Sequence, residues 1–191
     1  MPRIPPLPPG EWPPEMTEAL AALRPANPRH PLPPRRPDRP RALNALGTLA
    51  RHPELARAFH TFNGYILFSS TLSPRQRELL VLRVASVRRS AYEWEQHAIL
   101  AGDAGLGPGE VERIASGPDA PGWAPLDRAM VRAVDELIGD GAVSDATWTA
   151  LADGLDDRQL MDLVFTVGAY DVLAMAFRSF GVELDEDLKR K

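Results

Sequence analysis

The sequence contains no cysteine, which removes several classes of chemistry at once. Without a thiol the chain forms no disulfide, carries no thiolate nucleophile or zinc–thiolate site, and runs no thiol redox cycle. An excess of positive charge is missing as well. The chain has 22 basic and 26 acidic side chains, giving a formal net charge of −4. No strongly basic field therefore exists to attract nucleic acid, and we expect no nucleic-acid partner.

Long apolar runs are also missing. The longest, such as 79–82, are broken by charge well before the ~20 residues that a bilayer-spanning helix requires. Prolines interrupt the N-terminus from Pro2 onward, so it lacks the apolar core of a secretory signal. We therefore expect a cytoplasmic protein with no membrane partner.

Proline is concentrated at one end of the chain. Fourteen of the 20 prolines lie in residues 1–40, where they prevent continuous helix and favour extended backbone. A short helix fits at 15–23, and 35–40 has the composition of a solvated basic linker. Scattered apolar side chains favour an arm that wraps a partner subunit over a disordered one: Ile4, Leu7, Trp12 and Leu32. We divide the chain into this arm, 1–40, and a helical domain, 41–191.

From residue 41 onward, apolar residues recur at helical spacing. The predicted helices are 42–51, 53–69, one that begins at Ser73-Pro74, 90–102, 108–115, 124–138, 144–151 and 157–180. The start at Ser73 combines a capping serine, a first-turn proline and Gln76 three residues after the cap. No segment alternates in the manner of a strand, so the predicted fold class is all-α.

Two consecutive helices carry the candidate catalytic residues. The helix that begins at Pro74 is apolar nearly all round, which predicts burial, yet it contains Glu78 and Arg83. The next helix carries Glu93 and His97, four residues apart and so on one face. A carboxylate beside an imidazole fixes the tautomer of the ring and makes it a competent proton donor and acceptor near neutral pH.

Each of these residues also has a structural interpretation. Ser90 and Glu93 have the spacing of a capping box, in which the glutamate only returns a hydrogen bond to the helix start. Glu78 then pairs with Arg83 or with a neighbouring helix, and His97 is a core histidine. Spacing alone leaves these alternatives open.

The residues Glu78, Ser90, Glu93 and His97 resemble a known family signature. Their spacing is that of the alkylhydroperoxidase D motif, Glu-x11-Cys-x-x-Cys-x-x-x-His, with Ser90 and Glu93 at the two cysteine positions. The flanking sequences, such as RELLVLRVASV and YEWEQHAILA, are similar to those of the carboxymuconolactone decarboxylase branch. The resemblance covers about residues 41–185.

This resemblance implies an alkylhydroperoxidase D-like helical bundle that forms a trimer or hexamer, with its pocket near a subunit interface. Redox members reduce peroxide with the cysteine pair, which serine and glutamate cannot replace. What remains is an acid–base set of His97, Glu78 and Glu93. Arg83, Ser90 and Tyr170 are the candidate substrate-binding residues.

The favoured function is a cofactor-independent lyase or isomerase acting on a small oxygenated acid or lactone, with no metal and no thiol peroxidase activity. In the decarboxylase branch, the resemblance implies loss of carbon dioxide and protonation of a dienolate by a histidine. Two alternatives remain. One is a metal-dependent enzyme with a Glu/Glu/His ligand set. The other is a redox-inactive homologue that binds a ligand or serves in assembly.

Overall fold

The computed structural model describes residues 1–30 and 41–189. Within these residues all regular structure is helical, which confirms the predicted all-α class. A 3-10 turn at Pro9–Glu11 precedes the α-helices. They are α1 (Glu15–Ala22), α2 (Leu43–Leu49), α3 (Pro53–Phe68), α4 (Pro74–Arg88), α5 (Ala91–Asp103), α6 (Pro108–Ser116), α7 (Pro125–Gly139), α8 (Asp145–Ala152) and α9 (Asp157–Phe180).

The predicted helix boundaries agree with these bounds to within about two residues, because the start signals act as expected. At α4 the Ser73 hydroxyl accepts a hydrogen bond from the Gln76 backbone N–H, at 3.2 Å. The Gln76 side chain accepts one in return from the Ser73 N–H, at 2.9 Å. The predicted basic linker and Leu32 lie outside the described residues.

The helices fall into two compact units. The first comprises the residues up to 70 together with those from 176 onward, and the second comprises residues 71–175. Helix α9 begins in the second unit and ends in the first. All the candidate site residues lie in the second unit.

In the first unit the proline-rich arm packs against its own chain. Met16 and Ala19 of α1 are buried, and the Trp12 indole N–H donates to the Leu7 carbonyl at 2.8 Å. The Leu7 N–H donates to the Gly47 carbonyl at 2.9 Å, and a Cβ at Gly47 would lie only 2.3 Å from the Leu7 oxygen. The arm therefore makes contacts within its own subunit, and its wrapping of a partner subunit stays a prediction. Such backbone contacts leave no periodic signal in a sequence.

In the second unit α4 is the central helix. Leu79, Leu80 and Leu82 are completely buried, as the apolar pattern predicts. Arg75 at its start binds Asp127 of α7 through two nitrogens, at 3.0 and 2.7 Å. These contacts fix the helix that carries Glu78 within the core.

Helix α9 is the one described helix that is long and apolar enough to cross a membrane. Nearly half of its apolar window is buried within the protein. Its Asp162 is buried as well, and accepts hydrogen bonds from the Thr71 N–H and hydroxyl, both at 2.6 Å. These features are typical of a core helix, which passes the same test of length and composition.

Candidate functional site

The site is built at the corner between α4 and α5, which pack against each other. Arg89 ends α4 in the left-handed conformation, with φ 52°, and the Ser90 N–H donates to the Ala85 carbonyl at 2.8 Å. Left-handed backbone is unfavourable for a residue with a Cβ, so the surrounding packing must impose it. This turn buries Ser90 and places the first turns of α5 beside α4.

Glu78 and His97 meet across these two helices. Glu78 Oε2 lies 2.7 Å from His97 Nδ1, and both side chains are buried. The predicted proton-relay residues are therefore in direct contact. Glu78 Oε1 accepts two further hydrogen bonds from Arg77, from Nε and Nη2, each at 3.0 Å.

The charge state of Glu78 sets the tautomer of His97. Burial by itself favours the neutral acid, but the charges and hydrogen bonds of His97 and Arg77 outweigh it and lower the pKa of Glu78. A carboxylate can only accept a hydrogen bond, so His97 Nδ1 carries the proton. The neutral ring then presents its lone pair at Nε2, which is the position of a general base.

Tyr170 of α9 packs against the imidazole edge to face. The ring centroids of His97 and Tyr170 lie 5.1 Å apart at an interplanar angle of 89°. Burial, reinforced by the Glu78 charge, raises the pKa of Tyr170 far above its usual range, so its hydroxyl stays protonated. The predicted residue from the last helix thus lies directly against the candidate base.

Glu93 is buried one turn before His97, and it is not a helix cap. No side-chain capping bond forms at the start of α5, so the capping-box interpretation is wrong. The Ser90 hydroxyl lies near the Glu93 carboxyl group, but neither these two groups nor any other described residue forms a hydrogen bond of normal geometry to their oxygens. Burial raises the pKa of Glu93 to about 8; the Ser90 hydroxyl opposes this rise, and the Asp171 charge adds to it.

Two contacts of this site were not recognised from sequence. Arg77 binds Glu78 although adjacent helical residues do not normally face each other, and so no spacing rule indicates the pair. Asp171 on α9 forms an ion pair with Arg88 at the end of α4, with one N–O distance of 2.9 Å. Contacts between residues so distant in sequence leave no local signal.

Arg83 is committed elsewhere and does not bind Glu78. Its Nε and Nη2 donate to Asp135 of α7 at 2.6 and 2.7 Å. Its Nη1 donates to the carbonyls of Ile114 and Ala115, both at 3.0 Å. The guanidinium therefore links α4 to α6 and α7. This geometry gives no support to the predicted role of Arg83 in substrate binding.

A metal-dependent enzyme requires a cluster of metal-binding side chains. No group of three His, Asp or Glu side chains there is placed to hold a metal ion. The Nδ1 atom of His97 faces Glu78 rather than an open position. The arrangement instead provides proton donors and acceptors that are close together and shielded from water.

Two of the solved structures with a similar fold are those of uncharacterized peroxidase-related proteins. An uncharacterized peroxidase-related protein from Ralstonia eutropha with an alkylhydroperoxidase AhpD core matches with a TM-score of 0.68 and 20% identity, covering 76% of this chain and 78% of that one. A similar Silicibacter protein gives a TM-score of 0.65 and 18% identity, with coverage of 74% and 78%. At these identities the likeness defines an alkylhydroperoxidase D-like fold and not a reaction.

The debrominase Bmp8 has the same fold over nearly the whole chain. A cysteine-to-alanine variant of it, in complex with 2,3,4-tribromopyrrole, matches with a TM-score of 0.72 and 12% identity, covering 98% of this chain and 94% of that one. No curated protein matches this chain in sequence.

One family model matches the sequence from α3 to α7. Residues 53–136 match the model of the carboxymuconolactone decarboxylase family, a span that includes Glu78, Ser90, Glu93 and His97. The resemblance predicted from the sequence is confirmed. Over these residues, which make up less than half of the chain, this cysteine-free sequence is similar to the carboxymuconolactone decarboxylase family, and its fold is alkylhydroperoxidase D-like.

Proposed function

We propose that this protein is a cofactor-independent lyase or isomerase that uses general acid–base catalysis on a small oxygenated acid or lactone. The observation that carries the proposal is the buried hydrogen bond of 2.7 Å between Glu78 and His97. A carboxylate that orients an imidazole and stabilises its protonated form is the arrangement that proton transfer near neutral pH requires.

The chemistry needs only the movement of one proton. In an isomerisation, His97 Nε2 removes a proton from a carbon beside a carbonyl, and the C–H electron pair moves into the carbonyl to form an enolate. The protonated ring then returns the proton to another carbon of the conjugated system. In a decarboxylation, the C–C bond to the carboxylate breaks, carbon dioxide leaves, and protonated His97 supplies the proton to the resulting enolate carbon.

Glu78 and Tyr170 support this role in different ways. The Glu78 carboxylate stabilises the positive charge that His97 gains during the reaction, and the low dielectric of the buried site strengthens the effect. Tyr170 packs against the ring and restricts its rotation. Arg77 holds the second oxygen of Glu78, which keeps that residue ionised.

The competing view is a homologue that binds a ligand without transforming it. A glutamate that acted only as a helix cap and a histidine that faced solvent would favour that view. Here Glu93 makes no capping bond, and His97 is buried against Glu78. The geometry therefore supports catalysis over a binding scaffold.

Deuterium exchange tests the proposal across a panel of candidate substrates. The protein is incubated in D2O with unsaturated lactone acids and 2-oxo acids, and loss of C–H signals is followed by proton NMR. We expect exchange or turnover with a member of the panel, reduced by about 10²–10⁴-fold in His97→Gln. Because the similarly folded Bmp8 binds 2,3,4-tribromopyrrole, this compound joins the panel as a ligand.

A matched control is available in the first unit. His60 is also a buried histidine, but its Nδ1 bonds the Ala19 carbonyl at 2.9 Å rather than a carboxylate. His60→Gln should keep full activity. Undiminished exchange in His97→Gln would contradict the proposal. Tight binding of a panel member with no exchange would favour the scaffold.

A further inference from the structure

Three buried oxygens in the first turn of α5 and at its start form no hydrogen bond of normal geometry among the described residues. They are the hydroxyl of Ser90 and the two carboxyl oxygens of Glu93. Both residues are only 2% exposed, so solvent does not readily satisfy them. A buried polar group without a hydrogen bond costs about 1–3 kcal/mol. A site that retains three such atoms is suited to a polar ligand that completes their hydrogen bonds.

We propose that Glu93, as an uncharged carboxylic acid, and Ser90 together bind the negative oxygen of the substrate, which selects carbonyl compounds that form an enolate. This inference rests on the proposed function, because the enolate is the anion that proton removal by His97 produces. The two residues would then act as an oxyanion-binding pair beside the base.

The charges around Glu93 favour its neutral form. Asp171 faces it from α9 and raises its pKa together with burial, while Arg88 is engaged by Asp171 and not by Glu93. Glu78 on α4 is ionised, and its charge raises the pKa of Tyr170. A second carboxylate here would be repelled by the negative charge of Asp171. The neutral acid avoids that repulsion.

A neutral carboxylic acid gains a property that a carboxylate lacks. Its O–H donates a strong hydrogen bond, and this bond strengthens as a carbonyl oxygen becomes an enolate. Ser90 supplies a second O–H from the preceding turn. Glu93 and His97 lie one helical turn apart on one face of α5, so a substrate can present its carbonyl oxygen to the former and its acidic carbon to the latter.

Binding of 4-nitrophenolate tests the pair independently of turnover, since this anion resembles an enolate and its absorbance reports ionisation. We expect the wild-type protein to bind the phenolate near neutral pH. Glu93→Leu should weaken binding at least tenfold, and Ser90→Ala several-fold, as expected for loss of hydrogen bonds to a charged group. The affinity should also fall as the pH rises through about 8, where Glu93 loses its proton.

The controls are an exposed glutamate on the same helix and a serine outside the site. Glu95→Leu and Ser116→Ala should leave phenolate binding unchanged. Infrared spectroscopy gives a second readout, because the carbonyl stretch of a protonated carboxylic acid should be present at neutral pH and absent in Glu93→Leu. Leucine has a similar volume and leaves no buried carboxyl group without a hydrogen bond, so we expect that variant to fold.

The two proposals fail in different ways. If Glu93→Leu binds the phenolate as tightly as the wild type, or the wild type binds none, the oxyanion pair is overturned even when exchange depends on His97. If binding depends on Glu93 but exchange does not depend on His97, the proposed catalysis is overturned and an anion-binding site remains.

Discussion

Replacement of Glu93 by glutamine should change how the stability of the protein depends on pH. The pKa of Glu93 rises from 4.5 to about 8 in the folded protein, mainly through burial. Between these values the folded state holds a proton that the unfolded state has lost. The free energy of unfolding therefore falls as the pH rises through this window. Glutamine carries no such proton and removes this dependence.

The size of the effect follows from the two pKa values. Each pH unit between them corresponds to about 1.4 kcal/mol, so complete ionisation of Glu93 costs the folded state on the order of 3–5 kcal/mol. This is a large part of the ~5–15 kcal/mol that stabilises a typical domain. Glu78 does not interfere, because its pKa is lowered and its contribution changes only below its ordinary value of 4.5.

Urea denaturation at a series of pH values measures the effect. At about pH 5 the wild type and Glu93→Gln should differ by less than about 1 kcal/mol, since an amide replaces a neutral acid of the same shape. The variant should gain relative stability up to about pH 8 and then level off. Glu95→Gln, exposed on the same helix, should follow the wild type. A difference between wild type and Glu93→Gln that is constant with pH would refute a neutral buried Glu93.

Three further predictions concern other parts of the molecule. With dihydrolipoamide as the reductant, hydroperoxide consumption should not exceed the uncatalysed rate, because the chain has no cysteine; measurable turnover would contradict this. Glu78→Gln should lower stability by about 1.5–3 kcal/mol in chemical denaturation, since it removes the charged acceptor of the hydrogen bonds from His97 and Arg77; a loss below about 0.5 kcal/mol would count against a charged Glu78. Gly47→Ala should lower the melting temperature, because its Cβ would meet the Leu7 carbonyl at 2.3 Å and overpacking costs about 1–3 kcal/mol. Gly10→Ala, with open space around it, should leave the melting temperature nearly unchanged.

The helices were predictable because their signals are local. The cap at Ser73 and the apolar row of α4 both act within a few residues of themselves, so the sequence predicted the buried helix that carries Glu78. The contact between Glu78 and His97 was expected from the family motif, whereas residue spacing alone did not distinguish it from a pair with Arg83.

The remaining features depend on contacts that no local pattern describes. Arg83 binds Asp135, 52 residues away, and its guanidinium is thereby removed from the site. Ser90 and Glu93 match a capping box in spacing, yet the geometry at the α4–α5 corner buries both without forming it. The arm packs within its own chain through backbone contacts such as Leu7 to Gly47, which no residue pattern indicated. A homo-oligomer stays a prediction that the family resemblance alone supports.

The central claim is that the Glu78 carboxylate holds the proton of His97 on Nδ1 and leaves Nε2 as the base. Nitrogen-15 NMR of the imidazole tests it directly, because the two ring nitrogens differ in chemical shift according to which one carries the proton. At a pH where the ring is neutral, we predict the Nδ1–H tautomer in the wild type and the Nε2–H tautomer, which free histidine prefers, in Glu78→Leu. An Nε2–H ring in the wild-type protein would contradict the account, since the nitrogen assigned to catalysis would then have no lone pair to accept a proton.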